Sequence, residues 1–165
     1  MKRIILFVFI LFIISDTNAQ NKIDTAQKIM TSKIFLSHAV AKQIGELAEK
    51  EAIKNNLTIS IAIVDESGQL LYFTKMDGST NASAEVSIAK AKHSANYRRD
   101  TKFHQDLLAK GNNVVLTLPN SMPIEGGVQL IYDGKTIGAI GISGASSEDD
   151  GKIAKVGADY LLSLK

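Results

Sequence analysis

The sequence predicts an α+β fold, an antiparallel sheet of about five strands flanked by helices. Three observations lead there. Two β-branched stretches fold back on themselves through turn residues, at Asp65-Glu66-Ser67-Gly68 and at Asp133-Gly134, and Asp-Gly between apolar runs is a strong hairpin signal. Segments of helical period lie before, between and after the hairpins. Strand and helix do not alternate as a parallel sheet requires.

Taken in order, Leu36, Val40, Ile44, Leu47 and Ala48 recur at helical spacing opposite Lys42, Glu46, Glu49 and Lys50, an amphipathic helix running to about Lys54. Leu57–Val64 alternates Leu57, Ile59, Ile61 and Ile63 with smaller residues and reads as a strand, with Gln69–Lys75 returning after the turn. Met76 to Asn81 is a polar loop, and Ser83 is placed to cap a helix that carries Val86, Lys90, His93 and Tyr97. A short helix from Thr101 to Lys110 comes next. Asn113–Leu118 reads as the fifth strand, and Pro119 and Pro123 bracket a loop. Gly127–Tyr132 and Thr136–Ser143 form the second hairpin. Ser147 opens a last helix to Leu164, with Glu148, Asp149 and Asp150 in the first turn, where negative charge suits the helix dipole.

Ahead of this domain stands a leader. Lys2-Arg3, the unbroken apolar run Ile4–Ile14 and the short polar stretch to Ala19 have the layout of a secretory signal peptide over residues 1–19. The run spans about 16 Å as a helix, half a bilayer core, so no stable membrane anchor is expected once the leader is cut. Export to the periplasm or beyond is the expectation. Residues 20–32 read as a flexible polar tail and 33–165 as a single domain. With 165 residues there is room for one ordinary core. Zero Cys excludes disulfides, thiolate metal sites and thiol catalysis. A formal charge of +2 with mixed signs gives no case for nucleic acid. Three of the six Phe lie in the leader, so the mature core must be aliphatic and assisted by assembly.

The chemistry-bearing residues are few. Gly126-Gly127, Gly138, Gly141 and Gly144 match neither a dinucleotide fingerprint nor a phosphate loop; they suit either a close helix-on-sheet contact or a ligand lying on bare backbone. No Gly-x-Ser-x-Gly or His-Glu-x-x-His occurs. Lys90, His93 and Tyr97 share one helical face, at i−3 and i+4 from the histidine. His38 lies at the edge of the first helix's apolar face, and His104 in the charged short helix.

Ile63-Val64-Asp65, Gly68, Lys75-Met76-Asp77-Gly78, Ser83, Ser87, Lys90-Ala91, Gly126-Gly127-Val128 and the run Asp133 to Ala145 occur in an order that resembles the GlcG/HbpS family of haem-binding or haem-degrading proteins. The resemblance covers about Leu36 to Leu164. It implies a profilin-like sandwich, a homo-oligomer, and binding of haem or a related tetrapyrrole, with slow haem breakdown and iron capture credited to some members. His93 stands where relatives usually carry a small residue, so its role rests on its own chemistry. Haem wants an apolar slot, cations for its propionates and, optionally, an axial imidazole. Met76, Lys75, Lys90, His93, Tyr97 and the Gly126-Gly127 backbone would supply these, with His93 as iron ligand and His38 as its rival. The alternatives are an accessory or sensor module holding a small organic acid through Lys75, Lys90 and backbone amides, and an interaction protein without ligand.

Overall fold

The structure, a computed structural model, describes residues 33–164. The leader and the polar tail lie outside the described residues. Four strands form one antiparallel sheet: β1 (Ser60–Asp65), β2 (Leu70–Lys75), β3 (Gly127–Tyr132) and β4 (Lys135–Ser143), in spatial order β2-β1-β4-β3. The helices are α1 (His38–Lys54), α2 (Ser83–Tyr97), α3 (Thr101–Ala109) and α4 (Ser147–Asp159).

The expected fifth strand is not one. Asn113–Thr117 is a 3₁₀ helix. Its Val-Val-Leu-Thr residues have strand propensity but no partner to pair with. β3 already holds the sheet edge, and its Gly127 and Gln129 N–H groups are taken by Thr101 Oγ1 and Asp100 Oδ1. Propensity yields to tertiary context here. The last helix also ends early, Tyr160–Leu164 tightening to 3₁₀.

Period-2 alternation in β1 sorts side chains to the two faces. Ile61 and Ile63 join Ala41, Ile44, Ala48, Leu130, Ile140, Ile142, Ile153 and Ala154 in the larger core, beneath α1 and α4. Ala62 and Val64 pack with Ala91, Ala95 and Ala139 beneath α2. The sheet is therefore sandwiched between α1/α4 and α2. Its first turn is fixed by Asp65, whose Oδ1 accepts from Ser67 N at 2.8 Å and Gln69 N at 2.9 Å, with Gly68 at φ 78°. Ser37 caps α1 through Val40 N, and Ser146 caps α4 through Asp149 N. Among the described residues no helix is long and apolar enough to cross a membrane.

Candidate functional site

Gly141 and Gly127 explain how α2 lies so near the sheet. A Cβ on Gly141 would meet the Ser87 carbonyl and the Ala91 amide, and one on Gly127 the Lys90 carbonyl. Of the two roles open to these glycines, helix-on-sheet contact is the one seen. Gly126 is closed as well, its missing Cβ facing Ile142 O, Lys90 Nζ and Asp150. Neither Gly126 nor Gly127 offers bare backbone to a ligand, which corrects that expectation.

Lys90 needs the same correction. It is 1% exposed, and its Nζ donates to Asp150 Oδ2 at 2.7 Å and to Ile142 O at 2.9 Å. Asp150 Oδ1 accepts in turn from Ala145 N. This buried pair ties α2 to the start of α4. Burial pushes the Asp150 carboxyl above its ordinary range, outweighing the pull of Lys90. With its ammonium used inside the chain, Lys90 serves neither a propionate nor an organic acid.

The helical face that carries Lys90 also carries His93 and Tyr97, and the structure adds His104, which the sequence reading placed in the charged short helix without a site role. Arg98 takes the left-handed conformation at φ 48° and ends α2, so that α3 folds back and sets His104 against His93. His93 Nε2 and His104 Nδ1 are 2.7 Å apart, and Met122 N donates to His93 Nδ1 at 2.8 Å. Tyr97 stacks on His93 with ring centroids 4.8 Å apart and donates its hydroxyl proton to Pro119 O at 2.5 Å. Gln105 Oε1 accepts from Glu125 N. The stretch from Pro119 to Glu125 is thus strapped onto α2 and α3 at three points. Burial first, then the charge of His104, lowers the His93 pKa to about 4. Burial and Arg99 lower that of His104.

The backbone fixes the polarity of this pair. Met122 N–H can only donate, so Nδ1 of neutral His93 accepts and its proton sits on Nε2. That proton goes to His104 Nδ1, leaving His104 protonated on Nε2. No ring lone pair is then free in the pair. His93 is fully buried with both nitrogens engaged, and the structure gives it no route to haem iron.

His38 is built the opposite way. It is exposed at the start of α1, with Nδ1 3.1 Å from Leu71 O. A carbonyl only accepts, so Nδ1 carries the proton and Nε2 keeps its lone pair, the state a metal-ligating imidazole adopts. Of the two rival imidazoles, His38 fits iron and His93 does not. The sheet lies between them, His38 on the α1 side and His93 on the α2 side. β2, to which His38 is tied, exposes Leu70 and Phe73 and ends in Lys75, whose Nζ donates to Ser79 O at 2.9 Å. Met76 packs on the larger core below α1 and α4, apart from His93 and Tyr97. Glu46 and Glu49 are half-buried on α1 beside Tyr72, and among the described residues no cluster of three metal-ligating side chains occurs. A cavity of about 230 Å³ lies between α1 and α4, lined by Glu51, Leu57, Asp149 and Lys152 among others; it falls short of the usual size of ligand pockets and touches none of the histidines.

Fold and site define a class: an α+β sandwich of four antiparallel strands between helices, with imidazoles in two opposite hydrogen-bonding states. Residues 36–159 match the family model described as haem degrading protein HbpS-like. The chain belongs to this GlcG/HbpS family. It is 38% identical over 114 residues to Protein GlcG of Escherichia coli strain K12, spanning 69% of this chain and 85% of that protein. Among solved structures it is similar to a double mutant of HbpS from Streptomyces reticuli, with TM-score 0.73, 26% identity and coverage of 80% of this chain and 90% of that one. It is also similar to a PduOC:heme complex, with TM-score 0.70, 26% identity and coverage of 76% and 94%.

Proposed function

We propose that the protein binds haem, with His38 as the imidazole that meets the iron. The observation that carries this reading is the His38 Nδ1–H···O=C bond to Leu71, which leaves an exposed Nε2 lone pair with a fixed ring orientation. Family membership and the likeness to a protein solved with haem support it. Phe35, exposed three residues ahead of His38, suits an apolar macrocycle; Leu70, Phe73 and Lys75 pair with Val64, Ala62 and Ser60 and so fall on the α2 face of the sheet, away from His38.

Export and homo-oligomeric assembly belong to the same reading. The leader pattern of residues 1–19 supports the first, and the exposed apolar side chains of β2, an edge strand, support the second.

Titrating the protein with ferric haem tests the reading. A shifted and sharpened Soret band is expected, lost in His38→Ala and retained in His104→Ala. An unchanged free-haem spectrum would overturn haem binding, and a shift that survives His38→Ala would overturn the ligand assignment. Repeating the titration with ascorbate and oxygen reads degradation directly, as loss of the Soret band with time.

A further inference from the structure

We infer that His104, together with Arg99 and Phe103, forms a carboxylate-binding site on the α3 side of the molecule, separate from His38. The argument starts at the Met122 amide. Because that N–H must donate, the proton order along Met122 N–H, His93 and His104 runs outward and ends on His104 Nε2. His104 is 7% exposed. Among the described residues the buried side-chain polar atoms without a partner are Ser94 Oγ and Ser121 Oγ. His104 Nε2 is not one of them and bonds to no described residue, so its N–H reaches the surface.

What surrounds that N–H selects an anion. Arg99 is the charged group that acts on His104. Its guanidinium carbon lies 4.4 Å from the centroid of the Phe103 ring, and the Phe103 ring lies 5.2 Å from His104. Among the described residues Arg99 forms no ion pair, so its fork of N–H donors is unspent. Asp100, the nearest carboxylate in sequence, is turned away to Gln129 N. A neutral imidazole N–H beside a free guanidinium matches a carboxylate and repels a metal cation, since the lone pair a metal needs is occupied by a proton. Phe103 is exposed beside them and offers an apolar face to the body of such a ligand. The class is a small carboxylic acid with a flat apolar portion. The strap supplies the specificity. While Met122 holds His93, the tautomer of His104 cannot reverse.

Benzoate serves as the probe, with the full domain labelled with ¹⁵N-histidine. In the free protein both His93 and His104 are expected to show the Nε2–H tautomer, and His38 the Nδ1–H tautomer. Benzoate should shift the His104 Nε2 resonance saturably while His38 stays put, and Arg99→Ala should weaken that binding about tenfold. Arg99 is a surface side chain, and its backbone bond to Ser94 O does not depend on the guanidinium. A His104 found in the Nδ1–H tautomer would overturn the inference. So would a His104 resonance unmoved at saturating benzoate, or an Arg99→Ala variant that binds as tightly as the parent. None of these readouts involves haem, so failure here leaves the assignment of His38 untouched.

Discussion

The two faces of the sheet are built on opposite principles. Below α1 and α4 the core is aliphatic, with Ile44, Ile61, Ile63, Leu130, Ile140, Ile142 and Ile153 all essentially buried. Below α2 the apolar set is small, Ala62, Val64, Ala91, Ala95 and Ala139. Around it are buried Ser60, Ser83, Ser87, Lys90, His93, Ser94 and Thr101. Short side chains let the helix approach the strands closely. The same closeness keeps water out, so polar groups on that side need partners within the chain, a need left unmet at Ser94 Oγ. Ser60 and Ser83 share a 2.7 Å hydrogen bond, Lys90 has Asp150, and His93 has Met122 and His104. The aliphatic face contributes bulk stability through apolar area. The polar face contributes a single allowed geometry, and so it is where bond direction and tautomer carry information.

Substitutions should separate the faces by size of effect. The largest belongs to Gly141→Val. Its new carbons would drive into the α2 backbone at Ser87 and Ala91, where no flexible side chain can yield. A loss of about 4 kcal/mol or more is expected in urea unfolding, a large share of the roughly 5–15 kcal/mol that stabilises an ordinary domain. Asp150→Ala comes next, at about 3–5 kcal/mol, because it strands a buried ammonium. The double variant Lys90→Met/Asp150→Leu should recover most of that loss, and its failure to do so would mean that the pair stabilises by more than mutual neutralisation.

Acid should act through His93. Its pKa is lowered to about 4 in the folded chain against 6.5, so the unfolded chain takes up the proton first as pH falls. Stability at His93 is whole above about pH 6.5 and declines as pH drops towards 4, by at most about 1.4 kcal/mol per unit. His93→Gln should flatten the urea midpoint over that window, and a variant that keeps the parent's slope would remove His93 as the source. The smallest change is Ile142→Val on the aliphatic face. One methyl group is worth about 0.5–1.5 kcal/mol there, measured in the same urea series.

Much of the fold was legible in the chain. Both hairpins announce themselves through their turn residues, and the apolar stripe of α1 is nearly uninterrupted, because period and turn chemistry are local properties. Asn113–Thr117 misled because β propensity says nothing about whether a sheet edge is free. The site was legible only in part. Lys90, His93 and Tyr97 share a helical face by spacing alone, and His38 stood out as an imidazole at a helix edge. What each group touches was not written locally. Lys90 meets Asp150 across 60 residues, and His93 meets a backbone amide 29 residues on. His104 reaches His93 because Arg98 accepts a left-handed turn, which glycine would have advertised and arginine does not.

The sequence by itself determined the two hairpins, the main helices, the aliphatic character of one face and the family, since these rest on residue type and order. Tertiary structure alone decided the states of the histidines. A ring nitrogen is a donor or a lone pair according to whether its neighbour is an amide or a carbonyl. The carbonyl of Leu71 and the amide of Met122 reach His38 and His93 only once the chain has folded.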